Sequence, residues 1–347
     1  MKFPFLSLTR RQAFAGVAAA ATTATTPVTA ASSGQIRKEA ALLTLKKSSA
    51  KELLLKMALT SDHVFAVWST AIARGSSRLA CYGLDGETKW SKDLGTVPVF
   101  AVLASGDNEA TTVVIDKEAA KLVFSTYTSQ GPLNQEDQLP LNTAVLAAGA
   151  NSTDICALDV ATSLVSKRFR SPEGATQIPA AFDNPTIGGV KLRAIMASVH
   201  FLGNQLLLLD HVQARTVSIL PNGERRSGRL VHASIDAAIR KQDEDVASRA
   251  SLLRSSGNEH TLTFPTSISF AASDRANALW IISSLETGSI PIYRLNPDLL
   301  VTETYSVQIP AGSVVADRPP LMLAASQSRL ALGFREGVVA VVDHKTA

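Results

Sequence analysis

Charged side chains in short polar segments are the residues of this sequence best suited to chemistry. Paired carboxylates in such places serve as general acid and base or bind calcium through oxygen ligands, and an arginine opposed to a carboxylate suits a polar ligand. The same residue types occur in any solvated loop, so both interpretations stay open for each residue. The candidate ligand-binding set is Arg74, Asp116, Asp183, His211, Glu286, Asp317, Arg318 and Arg335.

Sequence motifs of common catalytic and metal sites are missing from the chain. The six histidines are spread out, with no His-x-x-x-His pair and no His/Cys cluster of the kind that holds zinc. There is no Gly-x-Ser-x-Gly elbow, no Walker loop and no Gly-x-Gly-x-x-Gly sequence. His211 follows Asp210 after the apolar run Leu206–Leu209, so we expect it to end a strand, with a catalytic role as the alternative. Catalytic residues and cofactors therefore stay unassigned, and no metal site is predicted.

An internal repeat indicates the elements that position these residues. An apolar run ending in small residues, a polar turn and a second apolar run recur along the chain. The last small residues, spaced 44, 44, 49, 75 and 53 residues apart, are Ser61, Ser105, Gly149, Ser198, Ser273 and Ser326. A second turn signal lies 24 residues after five of them, as at Asp85-Gly86 and Asn222-Gly223. Each unit is therefore predicted to form four short antiparallel strands.

Four-stranded units of about 40 to 50 residues are typical of propeller blades. We predict an all-β fold, a six-bladed β-propeller forming a single domain over residues 32–347. Seven blades are the alternative if the longest interval contains another, and a β-sandwich is the alternative fold. In a propeller, the candidate ligand-binding set lies on the face where ligands enter the central funnel.

Closure of the ring requires one more strand, because the sixth unit lacks its outer one. A spare apolar segment, Ala41–Leu45, precedes the first inner strand. We expect it to pair with Val338–Asp343 and complete the last blade. Pairing of this kind removes an exposed edge that would otherwise favour aggregation.

The longest interval contains a predicted helical insertion at about residues 232–257, between blades 4 and 5. Ser234 is a candidate N-cap, and Asp236 suits the positive end of the helix dipole. The helix is expected to cover the outer sheet, either as a lid or docking element or as a tolerated surface insertion. Its apolar positions are Ile235, Ala238, Ile239, Val246, Ala250 and Leu253, which fall on one face.

Residues 1–31 are predicted to be a cleaved leader. Arg10-Arg11 follows Thr9, an alanine-rich apolar stretch comes next, and Val28-Thr29-Ala30 supplies small residues for a signal peptidase. The arginine pair resembles a twin-arginine (Tat) signal, which implies export after folding. Ala13 departs from the phenylalanine usual at its position, so an ordinary secretory signal is the alternative. Either signal predicts a periplasmic or secreted protein, and no other segment is long and apolar enough for a transmembrane helix.

Charge and cysteine content narrow the classes of partner. The 347-residue chain has a formal net charge of +4, but without the leader's Lys2, Arg10 and Arg11 it carries 31 basic and 30 acidic side chains. A near-neutral protein with scattered charges does not fit nucleic-acid binding. Cys81 and Cys156 lie in apolar runs and match no metal or redox spacing. Free buried thiols are expected, with a disulfide as the alternative.

At the level of families, the chain resembles the β-propeller superfamily of quinoprotein-like, NHL-like and TolB-like proteins. The resemblance covers about residues 41–347, and its best local match is Tyr82-Gly-Leu-Asp85-Gly86-Glu-Thr-Lys-Trp90, similar to a strand-turn-Trp element. The other units lack this tryptophan, so no single family is specified.

Three functional hypotheses follow from the repeat and the leader. The preferred one is an exported, monomeric, non-catalytic module that binds a protein, peptide or glycan. The alternative is a periplasmic enzyme with its site in the central funnel, either a metal-dependent lactone or ester hydrolase or a quinone-dependent dehydrogenase. A scaffold in a larger envelope assembly is the third. All three rest partly on fold analogy.

Overall fold

A computed structural model describes the chain from residue 35 to residue 344 with short gaps. The ranges outside the described residues are 1–34, 71–74, 141–143, 160–162, 170, 180–181, 183–185, 188–189, 192–195, 256–265, 284–286 and 345–347. The predicted leader, with Arg10 and Arg11, therefore lies outside the described residues.

Short strands dominate the described residues, with one helix among them, α1 (Ala233–Ser255). The strands before the helix are β1 (Ile36–Glu39), β2 (Ala41–Thr44), β3 (Leu53–Leu59), β4 (His63–Ser69), β5 (Ser77–Gly83), β6 (Thr88–Gly95), β7 (Val99–Ala104), β8 (Glu109–Asp116), β9 (Lys121–Thr128), β10 (Gly131–Pro140), β11 (Val145–Ala150), β12 (Asp154–Asp159), β13 (Ser163–Arg168), β14 (Thr176–Pro179), β15 (Thr186–Ile187), β16 (Val190–Lys191), β17 (Ala197–Leu202), β18 (Gln205–Asp210), β19 (Arg215–Ile219) and β20 (Arg225–Arg229). Those after it are β21 (Phe270–Ser273), β22 (Leu279–Ile282), β23 (Ser289–Leu295), β24 (Val301–Gln308), β25 (Met322–Ala325), β26 (Arg329–Gly333) and β27 (Val338–Asp343).

Six antiparallel sheets form the blades of a propeller, which confirms the predicted fold class. Strands β3–β6, β7–β10, β11–β14, β17–β20 and β21–β24 form five of them in chain order. The sixth has the order β2-β27-β26-β25. The inner strands β3, β7, β11, β17, β21 and β25 each contact the next, and β25 contacts β3, so the ring closes.

The early strand β2 closes the ring as predicted. Leu42 and Leu43 lie opposite Ala340 and Val339 in the antiparallel β2–β27 ladder. Just before it, β1 adds a fifth, parallel strand to the β21–β24 blade through its pairing with β24. Nothing in the repeat predicted β1. The nine residues from Ile36 to Thr44 thus link two neighbouring blades by backbone hydrogen bonds.

The hydrophobic core is divided among the blade interfaces. Six clusters of buried side chains are present among the described residues, each between two neighbouring blades. In one of them Trp68 packs with Leu45 and Val339. Gly337, at φ +86°, lies against the Trp68 ring, where a Cβ atom would be 2.4 Å from the indole. The turn before β27 therefore requires glycine for both its backbone conformation and its close approach.

Helix α1 is present but differs from the prediction in position and contacts. It connects the β17–β20 blade with the β21–β24 blade. Counted from the blade that contains β2, these are blades 5 and 6, whereas the prediction placed the helix between blades 4 and 5. Ile235 and Ile239 pack between these blades with Leu209 and Ile281, rather than over the outer sheet. Ser234 is not the cap, because the helix begins at Ala233. Its hydroxyl lies 3.0 Å from Ser283 Oγ and 2.8 Å from His232 Nδ1.

Two details of the repeat differ from the prediction. The spacing predicts Ser198 at the end of an inner strand, but β17 begins at Ala197, so Ser198 is its second residue. The segment before β17 contains an unpredicted hairpin of β15 and β16, which helix α1 contacts. A regular spacing locates a repeat unit well, but it cannot fix strand register when a connection contains extra chain.

The remaining expectations concern thiols and membranes. Cys81 and Cys156 are free and buried, as predicted. Burial raises the pKa of the Cys81 thiol to about 12 and raises that of Cys156 as well. No helix in the described part of the chain has the length and apolarity that crossing a bilayer requires.

Closure of the ring makes Leu45, which is 2% exposed, a sensitive position. A Leu45→Ala variant removes a side chain that joins β2 to the neighbouring blade, so we expect the free energy of unfolding to fall by about 2–5 kcal/mol. Urea denaturation measures this. Leu300→Ala is the matched control, since Leu300 is 64% exposed. Equal midpoints for both variants would contradict a closing role for this segment.

Candidate functional site

The axis of the propeller contains a cavity of about 990 Å³. All six inner strands line it, and alanine, glycine and serine are frequent along its walls. Each inner strand is the last strand of its sheet, so one of its edges carries no strand partner. Backbone N–H and C=O groups at such edges are available to water or to a ligand. The channel therefore presents unpaired backbone groups along walls of small and apolar side chains.

One mouth of the channel is crossed by an ion pair. Arg275, in the β21–β22 turn, donates from Nη1 to Asp107 Oδ1 at 2.7 Å, in the β7–β8 turn. These two blades are directly opposite each other in the ring. The Ser61 N–H donates to the Asp107 carbonyl, and Arg329 donates to the Ser61 carbonyl. Contacts between three turns and across the axis thus narrow this mouth.

Lys56 lies in the channel wall without an ionic partner among the described residues. It follows a register shift between Leu54 and Lys56 in the β3–β4 ladder, and its side chain is exposed to the cavity. Bulges of this kind redirect side chains, often beside functional sites. Removal of water by the surrounding walls lowers the pKa of the Lys56 ammonium, and no described charged group contributes to that shift. In the described part of the chain, Lys56 has no carboxylate partner.

Three polar side chains meet near the start of β17, at the end of the strand that is remote from the β17–β18 turn. Ser198 Oγ lies 2.8 Å from His211 Nε2 and 2.6 Å from His200 Nε2. His211 Nδ1 lies 3.2 Å from the carbonyl oxygen of Ile268. Ser198 and His200 line the cavity; Ser198 is half-buried, whereas His200 and His211 are buried. We call Ser198, His200 and His211 the Ser–His cluster.

The direction of the hydrogen bonds follows from these contacts. A carbonyl oxygen only accepts, so His211 Nδ1 carries the ring proton and donates it to Ile268. His211 Nε2 is then an acceptor, which takes the hydroxyl hydrogen of Ser198. The Ser198 oxygen in turn accepts from His200 Nε2–H. The proton positions thus follow from the one group that can only accept, the Ile268 carbonyl. The Ser198 hydroxyl is directed at an unprotonated imidazole nitrogen.

Burial keeps both imidazoles neutral. It lowers the pKa of His200 to about 3, with repulsion from His211 as a second cause. It also lowers the pKa of His211, against the opposing effects of the Ile268 hydrogen bond and the Asp210 charge. A neutral His211 retains the lone pair that accepts the Ser198 hydrogen.

Backbone contacts hold His211 in place. Its N–H donates to the Met196 carbonyl, and its own carbonyl accepts from the Ile268 N–H and the Ser267 hydroxyl. Beside it, Asp210 is fully buried and forms an ion pair with Arg215 at 2.5 Å. His211 is therefore fixed on both sides, between β18 and the segment before β21.

Helix α1 also supports this region. Gln242 of the helix accepts a hydrogen bond from Gln213, two residues beyond His211. Ile239 is buried with Ile268, the residue whose carbonyl orients His211. The insertion therefore packs directly against the segments that hold the Ser–His cluster.

The candidate ligand-binding set predicted from sequence lies only partly within the described residues. Asp116 pairs with Lys121 at 4.0 Å in its own turn. Arg318 pairs with Glu336, which brings the Asp317–Arg318 and Arg335–Glu336 loops together, and Asp317 and Arg335 are exposed. His211 is buried rather than exposed. Among the described residues of the set, none lines the 990 Å³ cavity. Arg74, Asp183 and Glu286 lie outside the described residues.

Sequence reasoning missed Ser198, His200 and Lys56. Ser198 and His200 alternate on one face of β17, and His211 follows the strand that pairs with it, which is a signal that two-residue periodicity could have supplied. The register error at Ser198 hid it. Lys56 was hidden because a bulge cannot be recognised in an apolar run.

Comparisons with known proteins bear on the fold alone. Scans of protein-family models and of curated proteins find no match. A structural genomics protein of unknown function from Bacteroides thetaiotaomicron is similar at a TM-score of 0.51 and 10% identity, over 87% of this chain and 75% of that one. Virginiamycin B lyase from Staphylococcus aureus is found at a TM-score of 0.46 and 12% identity, over 88% of this chain and 99% of that one.

Buried neutral imidazoles make stability depend on pH. The unfolded chain protonates His200 near pH 6.5, whereas the folded protein keeps it neutral to about pH 3. The unfolded state therefore binds more protons in this window, and the free energy of unfolding falls as pH drops from 6.5 towards 3. A His200→Gln variant keeps a donor to Ser198 but does not titrate, so its decline is expected to be shallower by about 1 kcal/mol per pH unit. Denaturant titrations between pH 7 and pH 4 test this, and parallel curves for the two proteins would refute it.

Proposed function

We propose that this protein is an exported, monomeric binding module that takes a peptide or glycan segment bearing a carboxylate into its axial channel. The observation that supports this most directly is Lys56, a cation in the channel wall with no described carboxylate partner. An unpaired ammonium with reduced hydration gains most from an anionic ligand. The near balance of charge outside the leader argues for such a ligand rather than for nucleic acid.

A peptide is favoured over a glycan by the edges of the inner strands. Six strands turn one unpaired backbone edge each towards the axis. An extended peptide offers complementary N–H and C=O groups at matching spacing, as in strand addition at a sheet edge. A glycan offers hydroxyl groups without this periodicity. The channel ligand is therefore proposed to be an extended peptide, with its carboxylate at Lys56.

Export and the loop residues belong to the same proposal. The twin-arginine-like leader is the reason for proposing a periplasmic or secreted location. Asp317 and Arg335, exposed members of the candidate ligand-binding set, are proposed to frame the approach to the channel. Binding of this kind requires no bond to be made or broken in the ligand.

A lysine substitution tests the channel. We expect Lys56→Gln to weaken binding of peptides with a free C-terminal carboxylate by about tenfold to a hundredfold, which corresponds to the loss of a charge-assisted hydrogen bond of about 1.5–3 kcal/mol. The probe is an array of unstructured ten-residue peptides with free or amidated C-termini, beside uronate and neutral oligosaccharides. Hits are titrated by calorimetry.

Lys117→Gln is the matched control, because Lys117 lies on an exposed turn. It is expected to bind like the unmodified protein. Equal binding by the Lys56→Gln variant, or hits that ignore the carboxylate, would contradict the proposal. Hits confined to uronates would show that the channel takes a glycan instead of a peptide.

A further inference from the structure

The Ser–His cluster has the parts of an activated nucleophile. Ser198 lines the cavity together with His200 and is the most exposed member of the cluster, so a small molecule in the channel can reach its oxygen. The acceptor of its hydrogen, His211 Nε2, lies behind it at 2.8 Å, and a backbone carbonyl fixes the tautomer from the far side of the ring. A nucleophile hydrogen-bonded to a base, and a base hydrogen-bonded to an orienting group, is the general arrangement of serine hydrolases. It is recognised by geometry rather than by the order of the residues along the chain.

A purely structural explanation of this cluster leaves one feature without a reason. Two neutral histidines and a serine can satisfy one another's hydrogen bonds in a core, and His200 and His211 are buried. A structural network would be expected to be covered on all sides, yet Ser198 is half-buried at the channel wall. The hydroxyl of Ser198 is thus the most accessible group of the cluster, and accessibility to the substrate is what a nucleophile requires.

We propose that the channel carries a second activity: hydrolysis of carboxylic esters with an uncharged acyl group, with Ser198 as nucleophile and His211 as general base. This activity does not depend on the peptide ligand or on Lys56.

The bonds formed and broken balance with water as the co-reactant. Ser198 Oγ attacks the ester carbonyl carbon, and its proton passes to His211 Nε2. The C–O bond to the alcohol breaks as His211 returns that proton to the leaving oxygen, which leaves an ester on Ser198. Water then attacks this ester, gives its proton to His211 and releases the acid, and Ser198 recovers the proton.

His200 supplies a hydrogen-bond donor to the negative charge that develops on the substrate. In the free protein its Nε2–H donates to Ser198 Oγ at 2.6 Å. When Oγ bonds to the carbonyl carbon, the former carbonyl oxygen gains negative charge close to the same N–H. A neutral imidazole that is already desolvated needs little reorganisation to donate there.

The channel wall near Ser198 selects the acyl group. The inner strands on either side of β17 carry Leu146 and Ala147 on β11, and Ala271 and Ala272 on β21. These side chains are apolar and mostly small, and they offer no described charge to a charged acyl chain. Short uncharged acyl groups, of acetate to butyrate size, are the class that fits.

The test uses p-nitrophenyl butyrate and a fluorophosphonate probe on the full-length protein. The unmodified protein is expected to release nitrophenolate, and Ser198→Ala to release none above the rate in buffer, because no acyl group can then be transferred to the protein. Ser152→Ala is the matched control, because Ser152 lines the same channel in the β11–β12 turn. It is expected to retain full turnover.

Labelling keeps the proposal testable without any variant. The fluorophosphonate loses fluoride to Ser198 Oγ, so digestion and mass spectrometry are expected to find the phosphonyl group on the peptide containing Ser198. Failure of the unmodified protein to turn over ester and to be labelled would overturn the activity, as would a label on another serine or unchanged turnover in Ser198→Ala. None of these results bears on peptide binding at Lys56, which is measured separately.

Discussion

Crowding of six inner strands around one axis is the constraint on which the rest of this structure depends. Strands that converge have room for large side chains between blades, but little room beside the axis. The sequence meets this with runs such as Ala147–Ala150 and Ala271–Ser273 in the inner strands, while Trp68 and Trp280 pack at the blade interfaces. Small inner residues also leave the axial cavity, so the packing solution and the candidate site have the same cause.

A ring of sheets holds only if its first and last blades are joined. Each blade buries its two faces against neighbours, so a missing neighbour would expose an entire cluster to water. The segment from β1 to Leu45 prevents this by pairing with β24 and β27 and by inserting Leu45 beside Trp68. The Gly337 turn supports the same contact, because it lies directly against that indole ring.

The sequence predicted the repeating units, together with the closing segment and the helix that stand out from them, and missed features that break the period without a pattern of their own. Spacing of small residues and turn signals is enough to find four-stranded units, and the leftover apolar segment is enough to predict closure by β2. The β15–β16 hairpin, the β1 strand and the start of β17 each break the period, so no periodic argument reaches them. Residue type and loop position alone indicate the eight polar residues of the candidate ligand-binding set. These two properties do not determine which side chains reach the cavity, because Asp116 and Arg318 each pair with a neighbouring charge instead of facing it.

The two halves of the ring differ in a way that separates their chemistry. The inner strands β3, β7 and β11 each contain a register shift near their start, beside Lys56, Phe100 and Leu146. A shift of one residue turns the next side chain towards the axis, which explains how a lysine enters a wall otherwise built mainly from small and apolar residues. In contrast, β17, β21 and β25 pair with their neighbours in unbroken register. Regular pairing is what a cluster with contacts of 2.6 and 2.8 Å requires, because even a small displacement would break the alignment of Ser198 with both imidazoles. The irregular half of the channel is thus suited to present a charge to a ligand, and the regular half is suited to hold reacting atoms in place.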